Sequence, residues 1–164
     1  ANVLVNGMGA VAGNGYEHIK IDTPFYGVYY GQLALPVGAD EISYLTNDTL
    51  EQCLVYDYQN GKEIPVYDME KAAGKDPYEM FLGGPLSLVT IENPNATSGK
   101  ELILFRDSFG SSIAPLLVEG YEKVTLVDIR YMQPAMLEKF ITFDNQDVLF
   151  LYSTSVLNNS STIK

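Results

Sequence analysis

Ser108 is the residue whose type and position most directly suggest chemistry. It lies between an apolar run and an apolar-periodic segment in the stretch ELILFRDSFGSSIAPLL. Several hydrolase folds place a nucleophile where a strand exits into a helix. If a helix begins near Phe109 or Gly110, its first N–H groups could stabilise an oxyanion beside Ser108. Asp107 and Ser108 are also preferred helix N-caps, so a catalytic and a capping role are both open for this serine.

A nucleophilic serine needs a base, which is most often a histidine. His18 is the only histidine of the chain, and it lies in the stretch EHIKIDT, which has the composition of a strand. Adjacent side chains of a strand point to opposite faces, and a lone strand histidine is more often a surface residue than a base. His18 is therefore the one candidate base, and the pattern favours a surface role for it.

Charged residues are expected to surround the serine at one edge of the sheet. Arg106 ends the apolar run before Ser108, and Asp128 and Arg130 end the next apolar run, KVTLVDIR. The carboxyl ends of parallel strands meet at one edge, where ligands collect. We expect these side chains to line that rim or to brace it by charge-assisted hydrogen bonds.

Two adjacent glycines, Gly83 and Gly84, interrupt the apolar stretch MFLGGPLSL. Glycine allows a close backbone approach or a positive φ angle. The pair could line a pocket and offer a further oxyanion donor. A plain turn before a strand explains the pair as well, and is the interpretation that the pattern favours.

Apolar strands alternate with helical segments in the second half of the chain. Strands are predicted at 101–106, 123–130 and 146–153, with helices at 111–121 and 134–141. This order is typical of a parallel sheet with right-handed crossovers and helices on its faces. We expect one α/β domain over residues 1–164, with a β-rich portion over about 1–98 and a parallel β-α-β-α-β portion over about 99–157.

The first half reads as short strands separated by glycine and proline. Strands are predicted in EHIKIDT, FYGVYYGQLAL and EISYL, and Asn60-Gly61 predicts a tight hairpin turn. Pro65 cannot donate to a ladder, which restricts the second arm of that hairpin to a sheet edge. The rings of FYGVYYG could stack on sugars, although core and edge packing explains them equally.

Composition excludes several classes of function. The formal charge of -11 over 164 residues opposes binding to nucleic acid and to anionic membranes. One cysteine and one histidine predict no internal disulfide, no metal site and no cofactor. No apolar run reaches the ~18 residues of a membrane helix, and the first residues lack the basic start of a signal peptide, so we expect no membrane insertion by this chain. The oligomeric state is left open.

Four segments carry a resemblance to a known family. At FYGVYYG, MFLGGPLSLVTIENPNA, LILFRDSFGSSIAPLLVEGYEKVTLVDIRYM and DVLFLYS the chain resembles the DHHW family of bacterial, mainly Firmicutes, envelope proteins. That family is similar to SGNH hydrolases and to proteins that O-acetylate alginate. The resemblance implies a three-layer SGNH/flavodoxin-like α/β fold with Ser108 as nucleophile. Arg106 and Asp107 of the same Arg-Asp-Ser motif are further candidate catalytic residues. The resemblance also matches Asp128, Arg130 and Tyr131 to an Asp-x-Arg-Tyr segment, and Gly83-Gly84 to a Leu-Gly-Gly segment.

The chain departs from this family in one respect. The family's acid and base come from an upstream Asp-His-His-Trp motif, whereas this sequence has no tryptophan. The chain is then part of a longer protein, or descends from an enzyme that lost its base. The resemblance implies an extracellular or envelope esterase or O-acyltransferase acting on polysaccharide, with the isolated chain weakly active or inactive. The alternatives are a non-catalytic carbohydrate-binding or surface-interaction module, and a purely structural domain.

Overall fold

The computed structural model describes residues 1–27, 30, 36–159, 161 and 163. Much of the predicted strand over 25–35, including part of FYGVYYG, lies outside the described residues. The strands are β1 Glu17–Phe25, β2 Asp40–Thr46, β3 Leu54–Asp57, β4 Lys62–Ile64, β5 Leu88–Glu92, β6 Glu101–Arg106, β7 Lys123–Val127 and β8 Asp147–Leu151.

Helices in the described residues are short. The α-helices are α1 Asn2–Gly7, α2 Asp48–Gln52, α3 Met69–Ala72, α4 Gly110–Ile113 and α5 Thr154–Asn158, and 3₁₀ helices span Pro77–Met80, Ala114–Gly120 and Pro134–Lys139. No helix in this part of the chain combines the length and the apolar character needed to span a bilayer.

The main sheet has six strands in the order β4-β3-β5-β7-β6-β8, and it is mixed. β6 pairs in parallel with both β7 and β8, which confirms the predicted direction of these three strands. β5 runs antiparallel to β7, so the expectation of a parallel sheet holds for only part of it. The turn 93–100 between β5 and β6 is too short for a parallel crossover, which needs a dozen or more residues, and the chain therefore reverses there. The α/β class is confirmed.

Alternate residues of β6 contribute to two clusters on opposite faces of the sheet. Leu102 and Leu104 belong to the larger cluster, which α1, α2 and the 114–120 segment cover. Ile103 and Phe105 belong to a smaller cluster that includes Leu137 and Ile141. Because β6 runs parallel to both β7 and β8, the carboxyl ends of all three strands lie at one edge, where the candidate site lies.

Both helices predicted in the second half differ in type from the prediction. The 111–121 segment forms one α-helical turn and continues as a 3₁₀ helix over Ala114–Gly120. Pro115 has no N–H for an i→i−4 hydrogen bond, which accounts for the change of helix type. The 134–141 segment is likewise a 3₁₀ helix, and Pro134 is its first residue.

The predicted hairpin is confirmed. β3 and β4 pair antiparallel around a turn in which Gly61 has a φ of +65°. β4 is an edge strand, as Pro65 predicted. β1 and β2 form a separate antiparallel ribbon of two strands.

Candidate functional site

In the turn after β6, Asp107 and not Ser108 is the residue whose side chain caps the backbone. Asp107 Oδ1 accepts the N–H of Phe109 at 3.0 Å. Helix α4, which begins at Gly110, has no side-chain cap of its own. Ser108 is exposed, and neither its hydroxyl nor its N–H has a hydrogen-bond partner among the described residues. The hydroxyl is therefore available to an external group.

Asp107 also joins two strand exits. It is 1% exposed, and its Oδ2 accepts the N–H of Ser153 at 2.6 Å, just after β8. Its carbonyl oxygen accepts the N–H of Gly110 at 3.0 Å. The N–H groups of Phe109 and Gly110 are thus already bonded to Asp107, and the free donor in this turn is the N–H of Ser108. The oxyanion role of Phe109 and Gly110 stays a prediction.

Tyr78 supports the same turn from a distant part of the sequence. Its hydroxyl lies 3.2 Å from Ser108 O and 2.9 Å from Ser112 Oγ. Asp76 fixes the start of the 3₁₀ helix that carries Tyr78 by accepting the N–H of Tyr78 at 3.1 Å. Burial raises the pKa of Tyr78. Sequence reasoning missed this residue because no local pattern signals a contact 30 residues along the chain.

Arg106 is fully buried beneath the site. Its Nη2 donates to Leu86 O at 2.9 Å, and its Nη1 lies 3.6 Å from Asp128 Oδ2. Its Nε has no hydrogen-bond partner among the described residues. Burial lowers the pKa of the guanidinium, while the charge of Asp128 opposes that shift. Arg106 therefore connects the β6 exit to the loop that contains Leu86.

Asp128 is a buried carboxylate between two guanidinium groups. Its Oδ1 accepts Arg130 Nε at 2.9 Å and its Oδ2 accepts Arg130 Nη2 at 2.6 Å. These hydrogen bonds are the main cause of the raised pKa of Arg130. Arg130 also lies 5.3 Å from the ring centre of Tyr131, which is 57% exposed. The predicted rim residues are thus brought together, with Tyr131 on the outside.

Tyr152 is a second residue that sequence reasoning missed. It follows β8, and its hydroxyl is buried without a hydrogen-bond partner among the described residues. Burial, and then the charge of Asp128, raise its pKa to about 12. The Tyr152 hydroxyl therefore keeps its proton well into the alkaline range and remains a donor next to the charged cluster.

Gly83 and Gly84 form the predicted turn. Their φ angles are +73° and +90°, a region that favours glycine. Gly84 N–H donates to Phe81 O at 3.1 Å, and Gly83 O accepts Lys71 Nζ at 2.5 Å. Gly83 N–H has no acceptor among the described residues. The loop reaches the site through the bond between Leu86 and Arg106, and a pocket-lining role for the glycines stays a prediction.

His18 lies in the two-stranded ribbon, exposed to solvent. Its Nε2 is 2.8 Å from Ser43 Oγ on β2. No hydrogen bond within the described residues joins His18 to the turn of Ser108. The structure thus gives His18 a different hydroxyl partner. The described residues also contain no group of three or more His, Cys, Asp or Glu side chains able to hold a metal ion.

Comparison with known protein families relates the part of the chain that contains Ser108 to one family. A family model described as DHHW protein matches residues 45–127, just over half of the chain. The chain belongs to the DHHW family. The match includes Gly83, Gly84 and Ser108, and it ends one residue before Asp128. No curated protein sequence matches this DHHW chain.

Several solved structures have a fold similar to that of this DHHW chain. A DHHW family protein from Eubacterium siraeum has a TM-score of 0.69 at 22% identity, covering 94% of this chain and 54% of its own. Bacillus cereus PatB1 with a sulfonyl adduct has a TM-score of 0.68 at 20% identity, covering 94% and 55%. Another PatB1 structure has a TM-score of 0.63 at 18% identity, covering 95% and 56%. This DHHW chain thus spans about half the length of the solved chains that it matches.

Proposed function

We propose that this DHHW chain is the nucleophile-bearing part of an SGNH-like esterase or O-acyltransferase with a three-layer fold. The observation that carries the proposal is the division of roles after β6. Asp107 caps the turn, and Ser108 keeps an exposed hydroxyl and a free N–H. A serine that served only as a cap would donate or accept within the turn.

In the proposed reaction, Ser108 Oγ attacks the carbonyl carbon of an acyl ester and its proton passes to a base. The negative charge moves to the carbonyl oxygen, which the Ser108 N–H can bind. Collapse of this intermediate breaks the bond to the leaving alcohol, which takes the proton from the base. Water or a sugar hydroxyl then attacks the acyl-serine, and the same proton transfers release an acid or a new ester.

The base in this proposal belongs to a longer parent protein. His18 lies within hydrogen-bond distance of Ser43 and not of Ser108. We therefore assign activation of Ser108 to a His and Asp pair outside this chain. Removing the base from a serine enzyme leaves mainly binding and oxyanion effects. The isolated chain should therefore turn over slowly or not at all.

The proposed substrate is an acylated polysaccharide of the bacterial cell envelope. Membership of the DHHW family supports this class, as does the fold shared with PatB1. PatB1 was solved with a sulfonyl adduct, and sulfonyl donors react with activated nucleophiles. We accordingly propose an extracellular or envelope-associated location.

Hydrolysis of an aryl acetate by the longer parent tests the proposal. Ser108→Ala should lower kcat/KM by about a thousandfold or more, because the nucleophile is lost. Ser112→Ala is the matched control, since Ser112 lies one helical turn away and its Oγ bonds Tyr78. The control should keep most of the activity. Equal activity in the Ser108→Ala variant would contradict the proposal.

A non-catalytic module that binds carbohydrate is the second candidate. The contact between His18 and Ser43 favours it, because the chain's own histidine is engaged away from Ser108. Glycan binding by the parent without any acyl turnover would support this candidate over the enzyme.

A further inference from the structure

A shallow trough crosses the sheet away from the turn of Ser108. It has a volume of about 300 Å³ and is lined mainly by Leu54, Tyr56, Tyr58, Glu63, Thr90 and Glu92. The strand register explains why these residues share a face: Tyr56 pairs with Glu63 on β4 and with Thr90 on β5, and Leu54 pairs with Glu92. Their neighbour Val55 belongs to the core on the opposite face.

Aromatic rings form one side of this trough. Tyr56 and Tyr58 meet edge to face at 4.9 Å, and Tyr58 meets Phe140 in the same way at 5.8 Å. Tyr56 is 38% exposed, so part of its ring is open to a ligand. The hydroxyls of Tyr56 and Tyr58 have no hydrogen-bond partner among the described residues. An aromatic face carries partial negative charge and attracts the C–H groups of a sugar ring.

Carboxylates flank the rings. Glu63 is exposed and has no ion pair among the described residues, whereas Glu92 lies 3.5 Å from Lys123. The whole chain carries a formal charge of -11. A polyanionic ligand would be repelled by this surface, and a cationic one would be attracted. Stacking faces beside the unpaired carboxylate of Glu63 fit a sugar that bears an amino group.

The trough and the turn of Ser108 open toward the same edge of the sheet. β3 runs antiparallel to β5, and β5 runs antiparallel to β7, so β3 and β7 end at the same edge. Tyr58 follows β3 at that edge, as Asp128 follows β7. Three strand spacings of ~4.8 Å separate β3 from β6, so roughly 14 Å lies between the two places. An oligosaccharide of a few residues can span this distance.

We infer that the trough is a binding site for a glycan chain with free amino groups. The residues of the trough indicate a class of ligand, amino sugars, that the reaction at Ser108 does not define. The inference rests on the trough alone and does not require Ser108 to be a nucleophile.

Titration with defined hexasaccharides tests this inference. Chemical shifts of the tyrosine rings and isothermal calorimetry would follow binding of a glucosamine hexamer, an N-acetylglucosamine hexamer and a galacturonic acid hexamer. The glucosamine hexamer should bind most tightly and the galacturonic acid hexamer least. The titrations use the isolated chain, which should turn over slowly or not at all, and they read binding alone, which separates this test from the proposed enzyme function.

Two variants and two controls locate the binding. Tyr56→Ala and Glu63→Gln should each weaken binding of the glucosamine hexamer by about fivefold or more. The controls are Met69→Ala, which shortens an exposed side chain of α3, and Glu41→Gln, which changes an exposed carboxylate of the ribbon. Both controls should leave affinity unchanged.

Absence of binding, a preference for the anionic hexamer, or equal losses in the variants and the controls would overturn the inference. Glu63→Gln removes one charge from an exposed position and leaves the packed core untouched, so a loss of folding in Tyr56→Ala would leave the test decisive.

Discussion

At the scale of single residues, the candidate site depends on close packing around Arg106. The guanidinium is buried between Leu86 O and Asp128, and its aliphatic part lies against the first turn of α4. That contact requires Gly110, because a Cβ atom there would lie 2.5 Å from Arg106 Cβ. The turn that presents Ser108 is therefore held from below by an arginine and closed by a glycine.

Gly110→Ala should destabilise the chain by about 1–3 kcal/mol, as expected for overpacking a buried contact. The clashing atoms of Arg106 lie next to the backbone and cannot move aside. Urea unfolding would measure the change in the free energy of unfolding. Gly7→Ala is the control, because a Cβ at Gly7 meets nothing within 4 Å. Equal midpoints for the two variants would show that the packing at Gly110 has been misjudged.

At the scale of elements, the strands followed from the sequence and much of the site did not. Apolar runs and the Asn60-Gly61 turn predicted β3, β4, β6, β7 and β8, because strand periodicity and turn chemistry are local signals. The 3₁₀ helix after Ile113 was missed, although Pro115 was a visible cue. The positions of Ser108 and Asp128 at one edge followed from parallel strand order. The contacts of Tyr78 and Tyr152 did not, because tertiary packing creates them.

Asp107 connects the end of β6 to the end of β8, so its removal should weaken the sheet at this edge. Asp107→Ala removes a cap at Phe109 and the bond to the N–H of Ser153. Asp68→Ala is the matched control, since Asp68 caps α3 through Glu70 and Lys71 N–H without joining two strands. The control should cost about 1 kcal/mol.

Asp107→Ala should cost more than this control by about 1–3 kcal/mol, because the partly buried N–H of Ser153 loses its partner. The difference between the two unfolding free energies is the measured quantity. No difference would mean that the link between the strand exits contributes nothing to stability.

At the scale of the whole molecule, the chain combines an acidic surface with buried groups that resist ionisation. Burial, with a contribution from Glu119, raises the pKa of the Cys53 thiol from 9.0 to about 11. Burial likewise raises the pKa of Tyr16 and Tyr67. The folded state thus keeps protons that the unfolded state loses in alkali. The contribution of these groups to the free energy of unfolding is fully present below their ordinary pKa values. It declines as the pH rises toward their pKa values in the folded state.

Cys53→Ala should make the decline of stability with pH shallower between about pH 9 and about pH 11, where the unfolded thiol ionises and the folded thiol does not. Urea unfolding at a series of pH values gives this slope, which is independent of any packing lost at the site. The charge of Cys53 also contributes to the raised pKa of Tyr67, so its removal makes the decline shallower through that tyrosine as well. An unchanged slope would argue against a raised thiol pKa.

Covalent labelling of Ser108 would show whether its hydroxyl is an activated nucleophile. The longer parent protein would be treated with a fluorophosphonate probe and analysed by intact mass, alongside its Ser108→Ala and Ser112→Ala variants. We predict one adduct on the unchanged protein and on Ser112→Ala, no adduct on Ser108→Ala, and much slower labelling of the isolated chain. An adduct that persists in Ser108→Ala, or no adduct on the parent at all, would contradict the assignment of Ser108 as the nucleophile.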